Sequence, residues 1–160
     1  MAGPDGGVPH IPGDPAADRY WLDGAIDLSR QCPVSDSAFS VGAILVSVTG
    51  ARIATGYSRE TSPGDHAEEV ALRRAAGAEL GTATLYSSLE PCLRRASRPV
   101  SCSELIAASG LRRVVIAWLE PQVFVPGGGA AWLAASDIAV VQLAELAEAA
   151  KAVNAHLLPS

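Results

Sequence analysis

Residues 114–118, Val-Val-Ile-Ala-Trp, form an almost wholly apolar run. A strand without a polar face has to be covered on both sides, as the inner strands of a parallel sheet are when helices pack above and below them. Segments in which apolar residues recur at helical spacing precede and follow this run. The run therefore indicates an α/β domain with its sheet enclosed between helices.

The remaining pattern predicts helices and strands in alternation after an initial hairpin. We expect helices over residues 20–28, 67–78 and 101–110, a helix from the glycine turn at 127–129 to about 135, and an alanine-rich final helix. Strands are expected over residues 41–48, 52–57, 83–89, 114–118 and 138–141. The order predicts a three-layer α/β/α sandwich with a mixed five-stranded sheet.

Length and composition bound the organisation. A chain of 160 residues, 49% hydrophobic and 18% charged, is typical of one globular domain, which we place at residues 16–158. Residues 1–15 are rich in Gly, Pro and Asp and predict a disordered N-terminal arm. No apolar run approaches the ~20 residues of a membrane helix, and no secretory signal is visible. A cytoplasmic location without membrane contact is the expectation.

The charge balance bears on the partner. The net charge is −5, whereas a protein that follows a nucleic-acid backbone normally carries a basic stripe. The one dense basic cluster is Arg94, Arg95 and Arg98. We therefore expect a small-molecule substrate, with room for one phosphate, and no nucleic acid polymer.

Four residues predict zinc chemistry. His66 opens a predicted helix, Cys92 ends a predicted strand and Cys102 begins the next helix, where the amides and the dipole favour thiolate. Catalytic zinc sites use three such protein ligands. Glu68, two residues after His66, is the candidate that moves protons. The order matches the zinc-deaminase pattern H-x-E followed by P-C and a second Cys.

Each part of this pattern has an ordinary alternative. A His-Glu pair is common at helix starts, and a free cysteine is usually a buried apolar residue. The combination favours the metal site, in which Zn²⁺ is the expected cofactor. A non-enzyme alternative is a structural zinc module in which Cys32 is the fourth ligand.

The motifs resemble those of one family. Asp-His-Ala-Glu at 65–68, Leu-Tyr-Ser-Ser-Leu-Glu-Pro-Cys at 85–92 and then Cys102 are similar to the deaminase domain of riboflavin biosynthesis, a diaminohydroxyphosphoribosylaminopyrimidine deaminase of the cytidine deaminase-like superfamily. Nine residues separate the cysteines here, and that family has a loop one residue shorter. The glycine turn at 127–129 is also similar. The resemblance covers about residues 18–157 and implies the cytidine deaminase-like fold.

The departures from the family pattern surround the substrate. Residues 38–42 read Ala-Phe-Ser-Val-Gly where the family has Asn-Pro-x-Val-Gly, and residues 56–58 read Gly-Tyr-Ser in place of Gly-Trp-His. Leu-Arg-Arg at 93–95 replaces Ser-His-His. Counted back from Cys102, Arg98 falls where the family keeps a basic residue beside the substrate phosphate. The substrate-binding residues that the resemblance implies are Arg98, Ser58, Phe39, Ala38 and Ser88.

The expected function is hydrolytic deamination of a small aminopyrimidine, similar to the riboflavin precursor and phosphorylated, with release of ammonia. Alternatives within the class are deamination of cytosine, cytidine, dCMP or an aminopurine such as guanine. The resemblance implies a homodimer or larger homo-oligomer, and Leu143, Leu146 and Val153 of the final helix are candidates for its surface. It also implies a separate reductase if the chain serves the riboflavin pathway.

Overall fold

A computed structural model of the chain describes residues 9–95, 98–121 and 127–159. The helices are α1 (Pro15–Ser29), α2 (Ala67–Arg74), α3 (Cys102–Ser109), α4 (Gly129–Ala135) and α5 (Ala147–Val153). The strands are β1 (Gly42–Val46), β2 (Arg52–Tyr57), β3 (Thr84–Ser87), β4 (Arg113–Ile116) and β5 (Ala139–Gln142). Short 3₁₀ helices, Ala144–Leu146 and Ala155–Leu157, flank α5. Every predicted element is present, most of them shorter than the pattern suggested.

The strands form one mixed sheet in the order β2-β1-β3-β4-β5. β1 pairs antiparallel with both neighbours, so that Ile44 lies opposite Thr55 on β2 and opposite Tyr86 on β3. β3, β4 and β5 run parallel, with Leu85 beside Val114. Parallel neighbours need crossover connections, and α3 and α4 supply them. The mixed five-stranded sheet is confirmed.

The helices cover the sheet in two layers. α1 packs on β1 and β3 and contacts α5, whereas α2 packs on β2 and β1 and contacts α3, which in turn contacts α4. Val114, Val115 and Ile116 on β4 are each 0% exposed, so this strand is covered on both faces as its apolar run predicts. Sandwiching one sheet between two helical layers explains why the inner strands carry no polar alternation.

The final helix packs against α1 with one side and leaves the other exposed. Leu146, a candidate for an oligomer surface, is 5% exposed and belongs to the main apolar cluster. Leu143 and Val153 are partly buried against the same cluster. Leu146 is thus unavailable to a partner, whereas Leu143 and Val153 keep part of their surface exposed, and the oligomer surface stays a prediction.

The predicted N-terminal arm lies partly outside the described residues, which begin at Pro9. From His10 onward the chain contacts the domain: the His10 ring stacks on Tyr20 with centroids 3.6 Å apart, and the Trp21 indole donates to the His10 carbonyl. Asp14 caps α1 by accepting from the Ala17 amide. Among the described residues, no helix has the length and apolar content needed to cross a bilayer.

Candidate active site

Two of the candidate metal ligands lie at helix starts and the third in the segment that follows a strand. His66 is the N-cap of α2, Cys92 follows the end of β3, and Cys102 is the first residue of α3. Ser101 caps α3 through a hydrogen bond from the Glu104 amide, which fixes where the helix begins. The three positions therefore follow from where the elements start and stop, and the sheet brings these ends together.

The three ligand atoms converge. The Sγ atoms of Cys92 and Cys102 lie 3.5 and 3.4 Å from His66 Nδ1, and the candidate ligand atoms of all three residues lie within 4.8 Å of one another. The Cys102 amide also donates to Cys92 Sγ over 3.2 Å. One imidazole nitrogen and two sulfurs are the donor types that zinc prefers, and three protein ligands are the number that catalytic sites use. The site can hold a zinc ion.

Two glycines let the backbone close around this cluster. A Cβ at Gly56 on β2 would lie 2.5 Å from the Ala67 carbonyl oxygen, next to His66. A Cβ at Gly129 on α4 would lie 1.9 Å from the Pro91 carbonyl oxygen, next to Cys92. Both distances are far below van der Waals contact, so only glycine permits this approach.

The two thiols respond to each other in opposite directions. The hydrogen bond from Cys102 lowers the pKa of the Cys92 thiol, with help from His66 and the Cys102 amide, even though burial opposes the shift. The same contact raises the pKa of Cys102, together with its burial.

Glu68 lies beside the cluster in a buried position. The residue is 3% exposed. Ser87 Oγ donates a hydrogen bond to Glu68 Oε1 over 2.7 Å. Burial raises the pKa of Glu68, while the Ser87 hydrogen bond and the proximity of His66 act against the rise. A carboxyl group with a raised pKa, held in one orientation, can both accept and return a proton near neutral pH.

Cys32 is not part of the cluster. Its thiol donates to the Val41 carbonyl oxygen over 3.5 Å, and the metal-ligand group found among the described residues consists of His66, Cys92 and Cys102 alone. The alternative of a structural zinc module with Cys32 as its fourth ligand is therefore wrong, because this thiol contacts the Val41 carbonyl and does not belong to the ligand group.

A cavity of about 450 Å³ opens beside the cluster. His66, Glu68 and Cys92 line it, and so do three of the predicted substrate residues, Ala38, Phe39 and Ser58. Ser88 does not: it is 2% exposed, and its hydroxyl accepts from the Gly42 amide between β3 and β1. Ser88 therefore differs from its predicted role, because its hydroxyl satisfies a strand-end amide.

The arginines are placed differently from the prediction. Arg94 and Arg95 line the cavity, and Arg94 is exposed there. Arg95 has a side chain only 2% exposed, and it donates to the Gly64 carbonyl oxygen over 2.7 Å and to Glu69 over 3.3 Å. Arg98, the predicted phosphate ligand, is not among the lining residues. It pairs with Glu69 over 2.9 Å and with Asp65 over 3.4 Å.

Asp65 is one of the two carboxylates that pair with Arg98. Burial would raise the pKa of Asp65, but hydrogen bonds from Thr61 and Ser62 outweigh it and lower the pKa to about 2. The carboxylate is therefore charged, and Arg98 approaches it and Glu69 from outside the cavity. Counting along the sequence from Cys102 could not reveal this acidic pair, because it precedes the loop by about 30 residues.

Several residues of the site escaped the sequence analysis. Ser87 was seen only as a strand residue, although its hydroxyl holds Glu68. Arg59 lines the cavity in a left-handed conformation, φ +59°, and Glu120 lines it from the segment after β4. Burial raises the pKa of Glu120 to about 8, and the nearby charges of Cys92, Glu68 and Glu90 add to the shift. A left-handed arginine and a buried glutamate leave no pattern in a single sequence.

The chain is similar to known zinc deaminases over most of its length. Residues 15–118 match the model of the "Cytidine and deoxycytidylate deaminase zinc-binding region". It is 38% identical over 129 residues to the diaminohydroxyphosphoribosylamino-pyrimidine deaminase of Schizosaccharomyces pombe, which covers 78% of this chain and 31% of that protein.

Solved structures agree with this similarity. The RibD protein of Acinetobacter baumannii superposes with a TM-score of 0.76 at 30% identity, over 88% of this chain and 39% of that one. The diaminohydroxyphosphoribosylaminopyrimidine deaminase/reductase of Thermotoga maritima superposes with a TM-score of 0.73 at 30% identity, over 85% and 38%. The chain therefore spans about a third of the length of these relatives.

Proposed function

This chain belongs to the cytidine and deoxycytidylate deaminase zinc-binding family, and on that premise we propose that it removes an amino group from a phosphorylated aminopyrimidine by hydrolysis. Water replaces the exocyclic amine on a ring carbon, the C–N bond breaks, and ammonia leaves. The relatives that support this substrate class are deaminases of diaminohydroxyphosphoribosylaminopyrimidine.

His66 Nδ1 and the sulfurs of Cys92 and Cys102 would hold the zinc ion. When bound, zinc lowers the pKa of a coordinated water to about 7 and thereby makes a nucleophile available at neutral pH. His66 and Cys102 stand at helix starts, and Cys92, in the segment between β3 and α3, is held by the Cys102 amide and is buried, which gives the three ligands a fixed arrangement.

Glu68 carries the protons in this proposal. Its carboxylate accepts a proton from the attacking water, delivers it to a ring nitrogen and assists the departing ammonia. Ser87 keeps the carboxylate oriented through the hydrogen bond to Oε1. One observation carries the proposal: the buried carboxyl group of Glu68 lines the same cavity as His66 and Cys92.

Arg94 is the residue that we assign to the substrate phosphate. It is the exposed arginine of the cavity lining, whereas Arg95 is buried against Glu69 and Arg98, which does not line the cavity, pairs with Glu69 and Asp65. A guanidinium presents a planar pair of donors that matches phosphate oxygens. Ala38, Phe39 and Ser58 also line the cavity, and we assign them to the pyrimidine ring.

The test is a comparison of ammonia release from a panel of substrates by the zinc-loaded protein. We expect turnover of diaminohydroxyphosphoribosylaminopyrimidine, and little or none of cytosine, cytidine, dCMP or guanine. A preference for one of the latter compounds would place the chain in another branch of the family. Absence of ammonia from all of them, with zinc bound, would contradict the deaminase proposal.

Assembly and location are further parts of the proposal. We expect a homodimer or larger homo-oligomer in the cytoplasm, as the resemblance to this family implies. Leu143 and Val153, which are partly exposed, remain candidates for the surface that joins the copies, whereas Leu146 is buried within the chain. Light scattering at tens of micromolar decides between monomer and oligomer.

A further inference from the structure

One wall of the cavity has no regular structure. Residues 33–41, here called the wall segment, connect α1 to β1 and include the lining residues Ala38 and Phe39. Outside helices and sheets, buried backbone amides and carbonyls still need hydrogen-bond partners. The shape of the wall segment therefore depends on the side chains that supply those partners.

Asn154 supplies two of them from the far end of the chain. It follows α5 and is 1% exposed. Its Oδ1 accepts from the Ser40 amide over 2.7 Å, and its Nδ2 donates to the Ser40 carbonyl over 3.0 Å. Nδ2 also lies 3.3 Å from the Ala150 carbonyl oxygen, which ties the amide group to α5. The side chain thus pairs with Ser40 in the way that a neighbouring strand would.

Ser40 connects this contact to the cavity. It is 7% exposed, and the residue before it is Phe39, whose ring lies edge-on to Trp118 with centroids 5.4 Å apart. Arg59 holds the same segment from the cavity side through the carbonyls of Pro33 and Phe39. Asn154 contacts the segment from behind and is not a lining residue. Asn154 can therefore be replaced without removing a side chain that lines the cavity.

We propose that Asn154 is a positioning residue for substrate binding, which acts through Ser40 to hold Ala38 and Phe39 in place on the cavity wall. The expected change in KM rests on the proposed function. Without the amide, the Ser40 N–H and C=O would be left buried without these partners, and the segment would shift to reach water. The ligands and Glu68 lie on other elements, so zinc binding would be unaffected.

Asn154→Ala tests the inference in the full-length, zinc-loaded protein. We expect hydrogen–deuterium exchange of the peptide covering residues 35–41 to become at least about tenfold faster, and KM for diaminohydroxyphosphoribosylaminopyrimidine to rise about tenfold with kcat within about threefold. Zinc content should stay at that of the wild type. The control is Ala152→Gly, an exposed position on α5 that lowers helix stability without contacting Ser40.

A second variant, Asn154→Ser, guards against poor folding of the first. Its neutral hydroxyl can pair with at most one of the two Ser40 groups that Asn154 contacts, so its KM should lie between those of wild type and Asn154→Ala. Unchanged exchange at 35–41, faster exchange without a rise in KM, or an equal rise in KM in the control would each overturn the inference. If the wild type does not turn over this substrate, the proposed function fails, and the exchange measurement alone decides whether Asn154 holds the wall.

Discussion

The zinc ligands and the wall segment form two sides of one cavity, but they are held in place by different means. His66 and Cys102 stand at helix starts that local sequence specifies, and Cys92 follows β3 in the segment that leads to α3. The wall segment has no ladder or helix, and Asn154, which lies 114 residues from Ser40, satisfies part of its backbone. Local sequence signals therefore position the candidate zinc ligands, whereas a contact between residues far apart in sequence positions the wall segment.

The largest effect is expected from the ligand side. Replacing both Cys92 and Cys102 by Ser removes two soft donors and leaves a single imidazole, so zinc should fall from about one ion per chain to below a tenth, and turnover should be lost. Elemental analysis of the purified protein measures the metal. Asn154→Ala should keep its zinc in the same assay. Full retention of zinc in the double variant would refute the assignment of Cys92 and Cys102 as ligands.

Glu68→Gln is expected to lower kcat by roughly 10²–10⁴-fold, the range for removal of a general acid–base group. The amide keeps the size of the carboxyl group and can still accept from Ser87, so the fold and the zinc content should be unchanged. Steady-state ammonia release and elemental analysis together test this. Activity near that of the wild type would refute the proton-transfer role.

These two expectations concern residues that the sequence predicted well, for a physical reason. The apolar run of β4, the cap at Ser101 and the spacing of His66 and Glu68 are local signals, and the sheet topology then leaves few ways to arrange the elements. The contacts that Ser88 and Arg98 make in the structure could not be predicted, because their partners are distant in sequence. The hydroxyl of Ser88 accepts from Gly42, and Arg98 pairs with Glu69 and Asp65. Neither contact follows from spacing along one chain.

Arg94→Ala tests the phosphate contact that we assign to the cavity lining. A charge-assisted contact to phosphate contributes about 1.5–3 kcal/mol, so kcat/KM for the phosphorylated substrate should fall roughly ten- to a hundredfold. The dephosphorylated analogue should be turned over about as fast as by the wild type, and zinc content should not change. An equal loss with both substrates would mean that Arg94 shapes the cavity without contacting a phosphate.

The smallest effect is expected at Arg98, although its place in the sequence resembles that of a phosphate ligand. Arg98 lies outside the cavity lining, its side chain is 39% exposed, and its partners Glu69 and Asp65 keep other hydrogen bonds, from Arg95 and from Thr61 and Ser62. Because exposed ion pairs contribute little, Arg98→Ala should change kcat/KM by no more than about threefold for the phosphorylated substrate. Assaying this variant beside Arg94→Ala, with both forms of the substrate, separates position in the sequence from position in the fold. If instead Arg98→Ala gives the ten- to hundredfold loss specific to the phosphate while Arg94→Ala does not, the loop must rearrange when substrate binds, and the pairing with Glu69 and Asp65 belongs to the free protein alone.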